Sequence, residues 1–190
     1  DRLFLKLFME EQEMCLTILL DASASMGFGE PSKWGFATQI AEMLAYLALR
    51  GGDRVCLAAL KGDQIYESKL FSARSSYPEA ADFLARIEPS GATGLDASVR
   101  RLRLKSRRGM TVLISDLFSE DGYENAIHSL LFRNQHTTVI HLLSPDEMEP
   151  SFEGSIRMID SEDPAQMPDV TVNQETLRAY ERSLGAFLGA

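Results

Sequence analysis

Two continuous apolar runs, each followed at once by an aspartate, constrain the fold of this chain most strongly. One run covers residues 14–20 and precedes Asp21, and the other covers residues 110–115 and precedes Asp116. A strand with one face in water alternates apolar and polar residues, whereas a strand of a parallel sheet covered by helices is apolar throughout. The two runs therefore predict buried strands of an α/β fold, each ending in a carboxylate.

The remaining apolar patterns predict strands that alternate with helices. Helices are predicted over 33–50, 78–87, 95–105, 123–134 and 174–188, further strands over 2–9, 54–60, 64–72, 137–143 and 156–160, and surface loops over 144–155 and 161–168. The Lys-Gly-Asp turn at 61–63 favours a hairpin, which makes 64–72 an antiparallel edge strand. We expect an open, mostly parallel, doubly wound Rossmann-like sheet with helices on both faces.

Composition sets the size and setting of this fold. The chain has 190 residues, 45% of them hydrophobic, and a formal net charge of -9. We expect one domain over 1–190 with a core that needs no disulfide or metal for stability. The acidic balance argues against a nucleic-acid binder, and no apolar stretch reaches the roughly 20 residues that cross a bilayer. Cys15 and Cys56 lie in strand-like runs, so they predict buried thiols in a reducing, cytoplasmic compartment.

Three polar clusters are predicted at the carboxyl edge of the sheet, where ligands of such folds bind. They are Asp21 with Ser23 and Ser25 after the first strand, Thr93 in the loop over 89–94, and Asp116. Side chains alternate in an extended segment, so Asp21, Ser23 and Ser25 would share one side. An oxygen-only set suits a hard cation, Mg²⁺ first, with Mn²⁺ or Ca²⁺ as alternatives. Such an ion would accept a partner's Asp or Glu carboxylate as a further ligand.

These motifs resemble the metal-ion-dependent adhesion site of von Willebrand factor A domains. The run Leu-Leu-Asp-Ala-Ser-Ala-Ser-Met at 19–26 with Lys-Trp at 33–34, the Gly-Asp-Arg-Val turn at 52–55 and the Ile-Ser-Asp-Leu strand end at 114–117 are most similar to the bacterial domain-of-unknown-function 58 family. In that family the A-type domain forms the C-terminal part of a longer chain. A start at Asp1 rather than Met agrees with such a position.

The resemblance implies a role for each predicted site residue. Ser23, Ser25 and Thr93 would bind the metal directly, and Asp21 and Asp116 would act through bridging water. Many A domains have Gly after the second aspartate, where this chain has Leu117, so the shape of that loop is open. The resemblance also implies a MoxR-type AAA+ ATPase as a partner. It further implies that loop changes at the metal are linked to movement of the final helix, here 174–188.

Simpler and different functions fit parts of the same pattern. Asp and Ser are common cap and turn residues, so Asp21 could cap a loop while the serines bind backbone. A Mg²⁺-dependent phosphotransferase with Asp21 as nucleophile would have a second acid two residues on, where this chain has Ser23. A domain that has lost metal use would keep the fold alone. We expect a protein-interaction module and not an enzyme.

A cluster of basic residues opposes the average charge of the chain. It occupies one predicted helix and the residues after it: Arg100, Arg101, Arg103, Lys105, Arg107 and Arg108. Such a run is usually a solvated helix face, and the second interpretation is a docking surface for an acidic partner or phosphate. No aromatic residues are interleaved for base stacking, so specific nucleic-acid binding is not expected.

Overall fold

A computed structural model describes residues 13–62, 64–106, 108–119, 122–150, 154–157, 169–172 and 174–189. The strand predicted over 2–9 and the loop predicted over 161–168 lie outside these residues. The described elements, in chain order, are β1 (Cys15–Asp21), α1 (Lys33–Gly51), β2 (Arg54–Lys61), β3 (Gln64–Glu67), α2 (Tyr77–Ala85), α3 (Leu95–Arg101), β4 (Gly109–Ser115), α4 (Glu124–Phe132), β5 (Gln135–His141), α5 (Pro145–Met148), β6 (Gly154–Arg157), β7 (Asp169–Val172) and α6 (Gln174–Leu188).

Five of these strands form the central sheet, in the order β3-β2-β1-β4-β5. β1 pairs in parallel with β2 on one side and with β4 on the other, and β4 pairs in parallel with β5. β3 runs antiparallel to β2 at one edge. The predicted fold class is confirmed, including the hairpin that makes the edge strand antiparallel.

Helices cover both faces of the sheet, which explains why β1 is apolar up to Asp21 except for the buried Thr17. Leu16, Ile18 and Leu20 pack in a core cluster with residues of α1 and α2. Leu19, which points to the opposite face, packs with residues of α3 and α4. Every residue of β1 is buried, so alternation with polar residues would place polar groups in one of the two cores.

The first helix packs on the sheet through small side chains. The buried stripe of α1 consists mainly of alanines four residues apart, Ala37, Ala41 and Ala45, with Ala48 and Leu49 at its end. Ser32 caps the start of the helix by accepting a hydrogen bond from the Gly35 N–H at 3.1 Å. Gly52 ends it in the left-handed conformation, with φ of 91°.

Several predicted boundaries are wrong, and each has a local cause. β3 ends at Glu67 rather than at residue 72, because the Ser68 hydroxyl and not a strand carbonyl accepts the Leu57 N–H, at 2.9 Å. α3 ends at Arg101 rather than at residue 105, where the Arg133 guanidinium donates to the carbonyl oxygens of Arg100 and Leu102. The loop predicted over 144–155 contains α5 and the start of β6, which was predicted over 156–160, and residues 158–160 lie outside the described residues. β6 pairs with the unpredicted β7 in a separate antiparallel hairpin.

Two leucines near the end of α1 test the packing of this helix. Leu49 is 1% exposed, whereas Leu47 is 57% exposed. We expect Leu49→Ala to lower the free energy of unfolding by about 2–5 kcal/mol because it leaves a cavity against the sheet. Leu47→Ala, the matched control, should change it by less than about 0.5 kcal/mol. Urea unfolding of both variants measures the difference, and equal effects would contradict the burial of Leu49 against the sheet.

Candidate metal site at the carboxyl edge of the sheet

The two strand-ending aspartates lie on neighbouring strands. β1 and β4 pair in parallel with Leu20 opposite Ile114, so Asp21 and Ser115 follow at the same level of the sheet. The Ser115 hydroxyl donates a hydrogen bond of 2.6 Å to Asp21 Oδ2. Asp21 and Asp116 are 3% and 1% exposed. Two carboxylates therefore lie close together in the interior, as the strand pattern predicted.

The two serines of the first loop meet through a turn. Ser23 donates its backbone N–H to Asp21 Oδ1 at 3.0 Å, and a 3-10 turn then covers Ala24–Gly27. The prediction that Asp21, Ser23 and Ser25 share a side of an extended segment is therefore wrong in its geometry. The turn nevertheless places Ser23 Oγ and Ser25 Oγ 2.9 Å apart. Ser23 is buried and Ser25 is half-buried, so this pair lies at the solvent side of the site.

Backbone hydrogen bonds join the first loop to the loop that carries Thr93. Ala24 donates its N–H to the carbonyl oxygen of Gly91 at 2.8 Å, and Ser90 donates its N–H to that of Ala22 at 2.9 Å. These two hydrogen bonds hold the two loops side by side, and both are formed by backbone atoms alone. The predicted convergence of these two loops is present in the structure.

Thr93 itself binds the end of β2. Its hydroxyl donates to the Leu60 carbonyl oxygen at 3.2 Å and accepts from the Gly62 N–H at 3.3 Å. Its own carbonyl oxygen accepts a hydrogen bond of 3.1 Å from the Ser119 hydroxyl, which lies in the loop after Asp116. Thr93 therefore joins its own loop to the end of β2 and to the loop after Asp116, and its hydroxyl is directed to the backbone of Leu60 and Gly62 and not to the serine pair.

Lys33 forms an ion pair with one carboxylate oxygen of Asp116. The Lys33 ammonium lies 2.7 Å from Asp116 Oδ2 and 2.5 Å from Glu147 Oε1, and its side chain is 2% exposed. Asp116 Oδ1 accepts the Phe118 N–H at 3.1 Å. Both carboxylate oxygens of Asp116 thus have donors from the protein, which leaves it to act on an ion through a bridging water or through its charge.

Glu147, the second acidic residue that binds Lys33, is held by a helix cap. Ser144 and Glu147 form a capping box at the start of α5, in which the Ser144 N–H donates to Glu147 Oε2 at 2.7 Å. The loop before α1 packs tightly against this cap, since a Cβ built on Gly29 would lie 2.7 Å from the Ser144 Cβ. Gly29 has φ of 93°, so a side chain here would be both crowded and strained.

Leu117 adopts the conformation that a glycine would favour. Its φ is 60°, which an L-residue with a bulky side chain rarely adopts. Its side chain is 8% exposed and packs with the core on the α3 and α4 side of the sheet, and its N–H donates to Ser115 Oγ at 2.9 Å. Burial of the side chain offsets the backbone strain, so the loop keeps a left-handed turn after Asp116 without glycine.

The final helix contacts the segments that carry Asp116 and Glu147, the two acidic residues that bind Lys33. Phe187 of α6 stacks on Phe118 with ring centroids 5.3 Å apart, and it meets the His141 ring edge-on at 5.6 Å. The Tyr180 hydroxyl donates to the Glu147 carbonyl oxygen at 2.6 Å. A displacement of α6 would therefore disturb the surroundings of both carboxylates.

Asp21 is a buried carboxylate with hydrogen-bond donors but no bonded cation among the described residues. Burial raises its pKa, and the negative charge of Asp116 raises it further. The hydrogen bonds from Ser115 and Ser23 lower it and offset part of this rise. Ionised Asp21 is therefore destabilised in the protein alone, and a cation at the serine pair would stabilise it.

The donor set permits a hard cation at the serine pair. Adjacent ligands of an octahedral Mg²⁺ ion at roughly 2.1 Å are about 3.0 Å apart. The separation of 2.9 Å between Ser23 Oγ and Ser25 Oγ agrees with that edge. The described residues contain no group of three His, Cys, Asp or Glu side chains placed to hold a metal, so hydroxyls would have to supply the direct ligands.

Sequence reasoning missed three residues of this site: Ser115, Lys33 and Glu147. Lys33 begins a helix, where the helix dipole disfavours a cation, and that position is a signal that a carboxylate compensates it. The Ser-x-x-Glu spacing at 144–147 is the sequence signature of a capping box. Ser115 had no signal beyond its place beside Asp116.

Members of the basic cluster, which covers the end of α3 and the residues after it, form ion pairs along the surface. Arg100 binds both carboxylate oxygens of Asp96, at 2.9 and 2.6 Å, and Lys105 lies 2.8 Å from Glu67. Arg107 lies outside the described residues. The local acids neutralise part of the positive charge, which favours the interpretation as a solvated face.

The sheet order, the two helical layers and the three loops at the carboxyl edge define a von Willebrand factor A-like domain. Structures of similar fold include the conserved hypothetical protein BatB from Bacteroides thetaiotaomicron, with a TM-score of 0.58 and 17% identity over 89% of this chain and 85% of that one. An aerotolerance-related membrane protein from Bacteroides fragilis has a TM-score of 0.56 and 22% identity over 89% and 87%. The SpRpn10 VWA domain has a TM-score of 0.52 and 14% identity over 68% and 75%.

The chain belongs to the family described as protein of unknown function DUF58, whose model matches residues 1–186. The resemblance found in the sequence is confirmed. No curated protein matches this sequence. Within the part of the chain that the structure describes, no helix has the length and apolarity to cross a membrane.

The raised pKa of Asp21 predicts a pH-dependent stability. Because the folded state keeps the Asp21 proton to a higher pH than the unfolded chain does, ionisation of Asp21 lowers stability as pH rises above the ordinary aspartate value of about 3.9. In EDTA, Asp21→Asn should therefore be more stable than wild type at pH 7, and the difference should vanish as pH falls below that value. Urea unfolding from about pH 3 to pH 8 measures this.

Asp82→Asn is the matched control, since Asp82 is an exposed residue of α2. It should change stability by less than about 0.5 kcal/mol across this range. A lower stability of Asp21→Asn at pH 7 would show instead that charged Asp21 stabilises the metal-free fold.

Proposed function

We propose that this domain is a metal-dependent protein-interaction module whose bound divalent cation recognises a carboxylate of a partner protein. Ser23 and Ser25 would hold the ion through their hydroxyls, and Asp21 and Asp116 would supply negative charge around it. The observation that carries the proposal is the pair of serine hydroxyls 2.9 Å apart, next to the buried carboxylate of Asp21. Mg²⁺ is the expected ion, with Mn²⁺ and Ca²⁺ as alternatives.

The place of Thr93 in this proposal is less direct than the family resemblance implies. Its hydroxyl is shared between Leu60 and Gly62, so it would reach the ion only after leaving the β2 backbone. We propose that Thr93 positions the loops in the metal-free protein and turns to the ion when a metal binds. Loss of two weak hydrogen bonds of 3.2 and 3.3 Å is a small obstacle to that rotation.

The ion would favour an anionic ligand from a partner. Hydroxyl ligands are neutral, and both oxygens of Asp116 already have protein donors, so little of the positive charge of the ion is neutralised by direct ligands. Phe28 and Phe118 are 45% and 38% exposed, and both lie in the loops of the site. These rings supply apolar surface around a polar centre, as the cores of protein interfaces commonly do.

A phosphoryl-transfer enzyme is the alternative from a different class, and the site supports it less well. The position two residues after Asp21 is Ser23, whose backbone N–H binds Asp21 Oδ1. The other oxygen of Asp21 accepts the Ser115 hydroxyl. A nucleophilic carboxylate with both oxygens engaged and a serine in place of the second acid lacks the usual proton donor for the leaving group.

The partner and the compartment are further parts of the proposal. A MoxR-type AAA+ ATPase remains the partner that the family resemblance implies, and α6 offers a route by which partner binding could alter the domain through Phe187 and Tyr180. A reducing cytoplasm agrees with the state of Cys15 and Cys56, which are free buried thiols. Burial raises the pKa of both thiols and so disfavours the reactive thiolates.

Titration with Mn²⁺ tests the metal step of this function. Wild type should bind with measurable heat in isothermal titration calorimetry, and Ser25→Ala should bind at least about tenfold more weakly because it removes a direct ligand. Ser98→Ala is the matched control, since Ser98 is a fully buried serine whose hydroxyl has no described hydrogen-bond partner. Equal affinities for all three proteins would remove the serine pair from the metal site.

Partner capture separates the three classes of binder. A metal-dependent module loses its partner in EDTA and in Ser25→Ala. A metal-independent module of the same fold keeps its partner in EDTA, and binding through the basic cluster of α3 falls steeply with salt but not with EDTA.

A further inference from the structure

Lys33 is a buried cation bonded to Asp116 of the proposed site, and the predicted ligand set does not include it. Its ammonium lies between Asp116 and Glu147, with its side chain 2% exposed, and 5.5 Å from the centre of the Phe118 ring. A buried ammonium requires compensating carboxylates. Both carboxylates are fixed independently, Asp116 by the Phe118 N–H and Glu147 by the Ser144 cap.

We infer that Lys33 is a resident cation that competes electrostatically with the divalent metal and so sets the metal affinity of the site. The inference rests on the proposed function, because it concerns the same ion. Lys33 keeps the loop of Asp116 in place without a metal, and it repels an ion that approaches the serine pair.

The charges of the site explain why both cations are attracted to it. Asp21, Asp116 and Glu147 bring three carboxylates, and Lys33 brings one ammonium, which binds two of them directly. The set therefore keeps a net negative charge that a divalent ion can neutralise. The effective dielectric constant is lower in the interior than in water, so the ammonium on Asp116 would repel an ion held near that carboxylate more than it would in solution.

Removal of the ammonium should strengthen metal binding. Lys33→Met keeps the length of the apolar stem and deletes the charge, so Asp116 and Glu147 lose their shared cation. We expect the Mn²⁺ affinity to rise about tenfold or more, and the Tm gain on adding Mn²⁺ to exceed that of wild type. Lys69→Met is the matched control, because Lys69 is 60% exposed and pairs with Glu79 at the surface.

A role for Lys33 in folding alone gives a different result. If Lys33 acts in folding alone, Lys33→Met should be less stable than wild type by the same amount with and without Mn²⁺, and its Mn²⁺ affinity should not rise. An affinity equal to or below that of wild type would overturn the inference.

A second variant tests the same electrostatics in the opposite direction. Glu147→Gln keeps a residue that forms capping boxes and removes a negative charge from the set. It should weaken Mn²⁺ binding, because Lys33 then has Asp116 as its remaining charged partner and the site is less negative. If Lys33→Met does not fold, Glu147→Gln decides: weaker binding supports the inference, and unchanged affinity overturns it.

The wild-type titration separates the inference from the proposed function. Heat with Lys33→Met but none with wild type would overturn the metal step in the natural protein and support Lys33 as the residue that blocks it. Heat with wild type and equal heat with Lys33→Met would support the metal step and overturn the role of Lys33. No heat with either protein would overturn both.

Discussion

The burial of two carboxylates at the ends of adjacent parallel strands is the constraint on which the rest of this edge depends. β1 and β4 are mostly apolar because helices cover both faces, and their pairing brings Asp21 and Asp116 together where water is scarce. Such groups need donors or cations. The chain supplies hydroxyls and backbone N–H groups to Asp21 and an ammonium to Asp116.

The two aspartates are consequently unlike, although each ends a buried strand. Asp116 is neutralised from within the chain, and its loop is held by Lys33 and by the stacking of Phe118 on α6. Asp21 has no bonded cation among the described residues, and its pKa is raised by burial and by its neighbour. Asp21 is therefore the carboxylate whose negative charge no described cation balances. In the proposed function, a divalent ion at the serine pair would balance that charge, and a partner carboxylate would then bind the ion.

Much of the fold was predictable because hydrophobic periodicity reports burial. The apolar runs of β1 and β4 predicted the parallel sheet, and the turn at Gly62 predicted the antiparallel edge strand. Element ends were less predictable, since side chains such as Arg133 and Ser68 replace backbone partners there. These hydrogen bonds join residues distant in sequence, so no local pattern contains them.

The candidate site was predictable in part for the same reason. The apolar runs predicted a parallel sheet, and parallel pairing brings the loops after β1 and β4 to one edge. The contact between Lys33 and Asp116 spans 83 positions and depends on how α1 lies on the sheet. The Thr93 hydroxyl faces β2 because of the path of its loop, and residue type alone does not determine that path.

A crystal grown with Mn²⁺ and measured near the manganese absorption edge tests the central claim most directly. The predicted result is an anomalous peak at roughly 2 Å from both Ser23 Oγ and Ser25 Oγ, with Lys33 still on Asp116. A folded domain whose manganese lies elsewhere, or whose serine pair carries no anomalous density at saturating Mn²⁺, would contradict a metal centre at this edge of the sheet.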